Sequence, residues 1–204
     1  MAVLDILTFP NPILRKVAEP VTEVTPELAQ LADDMLETMY ASKGIGLAAP
    51  QIGQSIRLLV MDTRPQDEEG RYDLSDMTEL EQKFEGPIVI FNPVVVAGKG
   101  KKKFQEGCLS VPSYFEEIER PDLITVTGLN QKGEAIELEL DGLMSVCMQH
   151  EIDHLDGKLF IDRLSPIKGN RIKSKIKKFG YPKPEDEESS SETSTETESD
   201  KLLV

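Results

Sequence analysis

Tryptophan is absent from the chain, and cysteine and histidine occur only twice each. With two cysteines, one disulfide at most can form, between Cys108 and Cys147. With two histidines, a metal site that needs a third protein donor must find it in a cysteine or a carboxylate. No run of 18 apolar residues exists, so no membrane-spanning helix is expected. Met1 to Pro10 has neither the basic start nor the long apolar stretch of a secretory signal. A cytoplasmic location is the resulting expectation, and a reducing compartment disfavours the disulfide. No internal repeat is visible. At 204 residues, one domain with a substantial core is expected. The formal net charge is −14, which disfavours general nucleic-acid binding and gives no reason to expect specific DNA binding.

Both histidines fall in one short stretch, Gln149-His150-Glu151-Ile152-Asp153-His154. On a helix, residues four apart share a face, so His150 and His154 can turn two imidazoles toward a single ion. Glu151 lies about 100° round the helix from His150, within reach of a water held by that ion. This is the residue pattern of metal-assisted hydrolysis, in which the ion acidifies water and a carboxylate manages its proton.

The third donor is sought among the cysteines. Cys147 precedes His150 by three residues on the same expected helix. It would sit roughly 7 Å in rise from an ion held between the two imidazoles, too far for so short a side chain. It reads as a small buried apolar residue. Cys108 lies in Glu106-Gly107-Cys108-Leu109-Ser110, after a basic run, and Gly107 frees the backbone to bring the thiolate in close. Glu106, two residues before it, can order the loop or pair with a base such as Arg120.

Three separated motifs resemble those of the peptide deformylases: Gly44-Ile45-Gly46-Leu47-Ala48-Ala49-Pro50-Gln51, then Glu106 to Ser110, then Gln149 to His154. Their order and approximate spacing match over roughly residues 3–170. The resemblance implies removal of the formyl group from the N-terminal formylmethionine of nascent polypeptides. It implies Cys108, His150 and His154 as metal ligands, with water in the fourth position. It implies Glu151 as general base and then acid, and Gln51 with the Leu109 N–H as donors to the oxyanion. It implies Gly46 against the peptide backbone, and Ile45, Leu143, Val146 and Cys147 around the methionine side chain. Fe(II) in cells is the implied cofactor, with Zn(II), Ni(II) or Co(II) accommodated by the same donors. A metalloprotease, a closed structural zinc site recruiting Cys147, and a degenerate relative kept for ribosome binding are the competing readings. The Cys108 motif, helix geometry and intact Glu151 argue against them respectively.

The element pattern predicts an α+β fold, with antiparallel sheets packed around a central metal-binding helix, N-terminal helices and a C-terminal helix. A short helix is expected near Ile13–Val17. A longer one runs from Thr25 as cap and Pro26 to about Ala41, with Leu28, Leu31, Met35 and Met39 on its buried face. Strands are expected near Arg57–Met61 and Ile88–Phe91, and a hairpin from Leu123–Leu129 and Ala135–Leu140. The helix from about Gly142 to Leu155 is apolar on most sides and should be buried. Asp62 to Gly86 reads as an extended surface loop.

The catalytic unit is expected over 1–165, followed by a basic helix over 166–180 and a disordered tail over 181–204. The helix carries Lys168, Arg171, Lys173, Lys175, Lys177 and Lys178 and no acid. The tail holds eight acids against two lysines, the remainder mostly serine and threonine. The two pieces cancel, so the acidity of the chain resides in its body. The resemblance implies that the basic helix can touch the ribosome.

Overall fold

The computed structural model describes residues 2–65 and 73–182, together with the backbone of 202–203. Helix α1 spans Pro26–Ala41. Its start follows from Thr25, whose side chain accepts the Leu28 N–H, and from Pro26, which has no N–H to leave unpaired. Met35 and Met39 are fully buried, while Leu28 and Leu31 pack at the margin of the same cluster. Strands β1 (Gly46–Ala48), β2 (Leu58–Met61) and β3 (Ile88–Lys99) follow. The hairpin β6 (Leu123–Leu129) and β7 (Ala135–Leu140) completes a five-stranded antiparallel sheet in the order β1-β2-β3-β6-β7. A second sheet places β4 (Lys102–Gly107) between β5 (Glu116–Arg120) and β8 (Leu202–Leu203), the last running parallel to β4.

Helix α2 (Gly142–Leu155) is the centre of the fold, with Met144, Cys147, Met148 and Leu155 packed against Leu59, Met61, Ile90 and Val126 of the sheet. Helix α3 (Pro166–Phe179) lies outside, capped by Ser165 and holding on through Gly169, Ile172 and Ile176. The architecture is the expected α+β one. Among the described residues, no helix is long and apolar enough to cross a membrane.

Four expectations change. Strand β3 runs past Phe91 to Lys99, because register shifts at Phe91/Val94 and Val95/Ala97 absorb Pro93, a residue that would otherwise end pairing. The segment 62–86 is more than a surface loop; its residues 66–72 lie outside those described. Glu81 is buried, accepting the Met144 N–H at 3.1 Å and the Thr78 N–H at 2.8 Å, and the Thr78 hydroxyl donates to Asp141 at 2.6 Å. Residues 78–81 thus satisfy the first turn of α2, where the Asp141 side chain makes no capping bond. The helix expected near Ile13–Val17 is a single tight turn at Pro12–Arg15. Finally, two pieces of the stretch 181–204, at Tyr181–Pro182 and Leu202–Leu203, are among the described residues and make contacts. The Tyr181 hydroxyl donates to Phe9 O at 2.8 Å, and Leu202–Leu203 pair with β4. Residues 183–201 lie outside those described.

Candidate active site

Twelve of the fourteen residues of α2 are buried, including Gln149, His150, Glu151, Asp153 and His154. A helix can bury that many polar groups only if each has work or a partner. His150 and His154 occupy successive turns, and Cys108 reaches them from the loop that leaves β4. One donor atom from each of the three lies within 4.8 Å of the others. The Cys108 Sγ stands 3.2 Å from His154 Nε2. Both cysteines are free, and Cys147 is outside the cluster, as the helix rise requires.

The His150 ring is oriented from behind. Its Nδ1 lies 2.9 Å from Glu106 Oε2, which leaves Nε2, buried and without a partner, facing the cluster. Glu106 is clamped by Arg120, whose Nε and second terminal nitrogen donate at 2.5 and 2.7 Å. The other Arg120 nitrogen donates to Asp153 at 2.9 Å, and Arg163 donates twice to the same carboxylate, at 2.5 and 2.6 Å. Arg120 is 1% exposed, so this network is held away from water. Burial alone would push the Glu106 and Asp153 carboxyls up. Arg120 with His150 in one case, and Arg163 with Arg120 in the other, outweigh it and hold both below the ordinary range.

Glu151 sits in the opposite condition. Both carboxylate oxygens are buried and neither has a hydrogen-bond partner. Burial raises its pKa well above the ordinary value, against a pull from Arg120 and with Asp153 and Glu106 adding to the rise. Burial, with the charge of His150 adding to it, keeps the His154 ring neutral. Burial and then the Glu151 charge push the Cys108 thiol up. A cation among these donors would reverse that last shift, because a coordinated thiol gives up its proton. A soft thiolate, two neutral imidazoles and an unpartnered inward nitrogen suit a transition-metal ion.

The remaining expected residues surround this centre. The Gln51 carbonyl accepts the Ala48 N–H at 2.7 Å, which turns its NH₂ toward Ser110 Oγ at 3.3 Å and Cys108 Sγ at 4.0 Å. Gly46 lies against Glu151: a Cβ there would come within 2.5 Å of Glu151 Oε1 and 2.8 Å of Cys147 Sγ. Gly44 is equally close to Leu109, whose Cδ1 would stand 2.7 Å from an added Cβ. Cys147 Sγ donates to Ile45 O at 3.4 Å, Val146 is buried, and Leu143 is half-buried at the start of α2. Asp153, Arg163 and Ser110 take part without having been singled out in the sequence. Asp153 and Ser110 lie inside two of the motifs, whereas Arg163 carries no local signal.

The sequence pattern of the family described as polypeptide deformylase matches residues 3–170. The chain belongs to the polypeptide deformylase family. A peptide deformylase of Alkalilimnicola ehrlichii is 48% identical over 178 residues, which cover 87% of this chain and 91% of the relative. The crystal structure of the peptide deformylase of Ehrlichia chaffeensis superposes with a TM-score of 0.75 at 40% identity, covering 89% of this chain and 99% of that one. The same Ehrlichia enzyme in complex with actinonin gives a TM-score of 0.75 at 42% identity, covering 87% and 98%. As a deformylase the chain is a metal-dependent hydrolase that removes the N-formyl group from formylmethionyl peptides. Its Cys108, His150 and His154 cluster is suited to the metal.

Proposed function

We propose that Cys108, His150 and His154 hold one divalent ion, Fe(II) in cells, and that Glu151 moves the protons of formamide hydrolysis beside it. The ion, when bound, supplies Lewis acidity and lowers the pKa of water at neutral pH. The observation that carries the reading is the buried, unpartnered Glu151 carboxylate next to the three-donor cluster. A carboxyl with a raised pKa is matched to taking a proton from water and handing it to the leaving amine. The Gln51 NH₂, turned toward Ser110 and Cys108 because its carbonyl is committed to Ala48, donates to the developing oxyanion together with the Leu109 N–H. Such donors are each worth about 3 kcal/mol. Ile45, Leu143, Val146 and Cys147 receive the methionine side chain, and Gly46 lets the peptide backbone approach Glu151. The Glu106–Arg120–Asp153 network fixes the His150 ring and takes no proton itself.

The substrates are formylmethionyl nascent peptides in the cytoplasm, and α3 offers a basic face for the ribosome. Formate release from a formylmethionyl peptide, set against cleavage of an unformylated peptide, tests the activity. Protein prepared without oxygen should carry iron and lose turnover in air, because the thiolate and Fe(II) both oxidise. A nickel-substituted form should keep its activity. Iron-loaded protein that is indifferent to air would argue against this metal assignment.

A further inference from the structure

Two sheet edges converge on the site. Among the described residues, strand β1 pairs only with β2, and its outer side carries Gly46 beside Glu151. Strand β4 pairs with β5 on one side, and its other edge leads through Glu106 and Gly107 directly to Cys108. Gly44, just before β1, lies against Leu109, just after β4, so the two edges border the same Cys108–Glu151 centre. On the deformylase reading, an extended peptide that presents its end to the metal cluster runs along these edges. The chain itself already uses one wall. Leu202 is opposite Glu106 and Leu203 opposite Gly107, in parallel register. Because β8 runs in the same direction as β4, it points toward the same end of the sheet as Cys108.

We propose that the Leu202–Leu203 strand is an intramolecular occupant of the peptide groove, competing with substrate for the β4 edge beside the metal ligand. The inference rests on the deformylase reading of that groove. Strand addition supplies main-chain hydrogen bonds regardless of side-chain identity, so a short segment can hold the edge without mimicking methionine. Two apolar residues following a polar, acidic stretch are the local composition that such docking needs. Because the strand belongs to the same chain, its docking is intramolecular, so even a weak strand is populated yet displaceable. The segment therefore raises the substrate concentration needed for half-maximal turnover and leaves the maximal rate alone.

The test uses the full chain with Leu202→Pro and Leu203→Pro together, which removes two backbone donors and keeps every charge. KM for a formylmethionyl tripeptide should fall about 3- to 10-fold, with kcat unchanged. An acetylated peptide of residues 196–204, added to the double-proline protein, should raise KM again without touching kcat. The same peptide carrying a fluorophore should bind the double-proline protein more tightly than the natural chain, read by anisotropy. Equal KM values with no competition by the peptide would overturn the proposal. So would a KM difference that grows with protein concentration, which would mean exchange between copies. If neither protein released formate, the deformylase reading would fall. Anisotropy would then decide the docking independently: tighter binding to the double-proline protein supports it, and equal or no binding overturns it.

Discussion

Helices α2 and α3 are the same length and opposite in character. Both have 14 residues, both begin at a small or cyclic residue, and both are rich in polar side chains. In α2 twelve residues are buried; in α3 three are. The polar groups of α2 therefore face other protein atoms and must be satisfied there or be left for a ligand. Most are satisfied: Gln149 donates to Ser145 and Pro121, His150 meets Glu106, and Asp153 takes two arginines. Glu151 is left over, and so are His150 Nε2 and His154 Nδ1. Most bases of α3 are exposed, and Lys173, the half-buried one, pairs with Asp162, whose side chain is equally covered. Chemistry is located where burial is complete and satisfaction is not. Abundance of charge says little about it.

Breaking α2 at its unsatisfied point should have the largest effect. Glu151→Ala should lower kcat/KM for a formylmethionyl peptide by roughly 10³-fold or more while bound metal is retained, since positioned proton transfer is worth about 10²–10⁴. A variant keeping a tenth of normal activity would show that another group moves the proton. Next comes the satisfied part of the same helix. Arg120→Met leaves the buried Glu106 carboxylate with His150 alone and Asp153 with Arg163 alone, and should cost about 3–5 kcal/mol in urea unfolding. A loss below 1 kcal/mol would mean that the network relaxes into water.

The pH dependence sharpens the comparison further. Glu106 and Asp153 have folded-state pKa values below their unfolded ones. The stability they contribute is present above the unfolded carboxylate range and is lost as pH falls through the depressed folded values. Unfolding midpoints should hold from pH 7 to about 5 and drop below about 4. Arg120→Met should flatten that drop, and an unchanged slope would assign acid sensitivity elsewhere. The smallest effect belongs to α3. Exchanging the exposed Arg171 and Lys178 for glutamine should leave small-peptide turnover and the urea midpoint unmoved. Only ribosome association at low salt should weaken. Sedimentation with ribosomes across a salt series checks it.

The sequence is legible where structure is local. The span of α2, the β6–β7 hairpin and the start of α1 at Thr25 all follow from periodicity and end signals within a few residues. Cys108 is legible through the Glu106–Ser110 motif and the resemblance it carries, and the pairing of Glu106 with Arg120 is one of the options the sequence offers. What stayed hidden depends on distant partners. Strand β1 has three residues and a glycine, too short for any alternation. Strand β4 is built on lysines matched across the ladder by Glu117 and Glu119, which reads locally as a solvated basic run. Glu81 becomes a buried cap only because α2 begins next to it, and Arg163 joins Asp153 only because the chain turns back at Phe160–Asp162. Pairing of Leu202 and Leu203 with β4 is invisible in a window dominated by acids and serines.

The two cysteines carry the comparison to its simplest form, since both are buried beside α2 and only one belongs to the donor cluster. Metal content per chain after anaerobic purification and dialysis, measured for the natural protein, Cys108→Ser and Cys147→Ser, is the most direct test of the centre. The account predicts one ion per chain in the natural protein, near-complete loss in Cys108→Ser, and retention in Cys147→Ser. Equal loss in both variants, or full retention in Cys108→Ser, would contradict it.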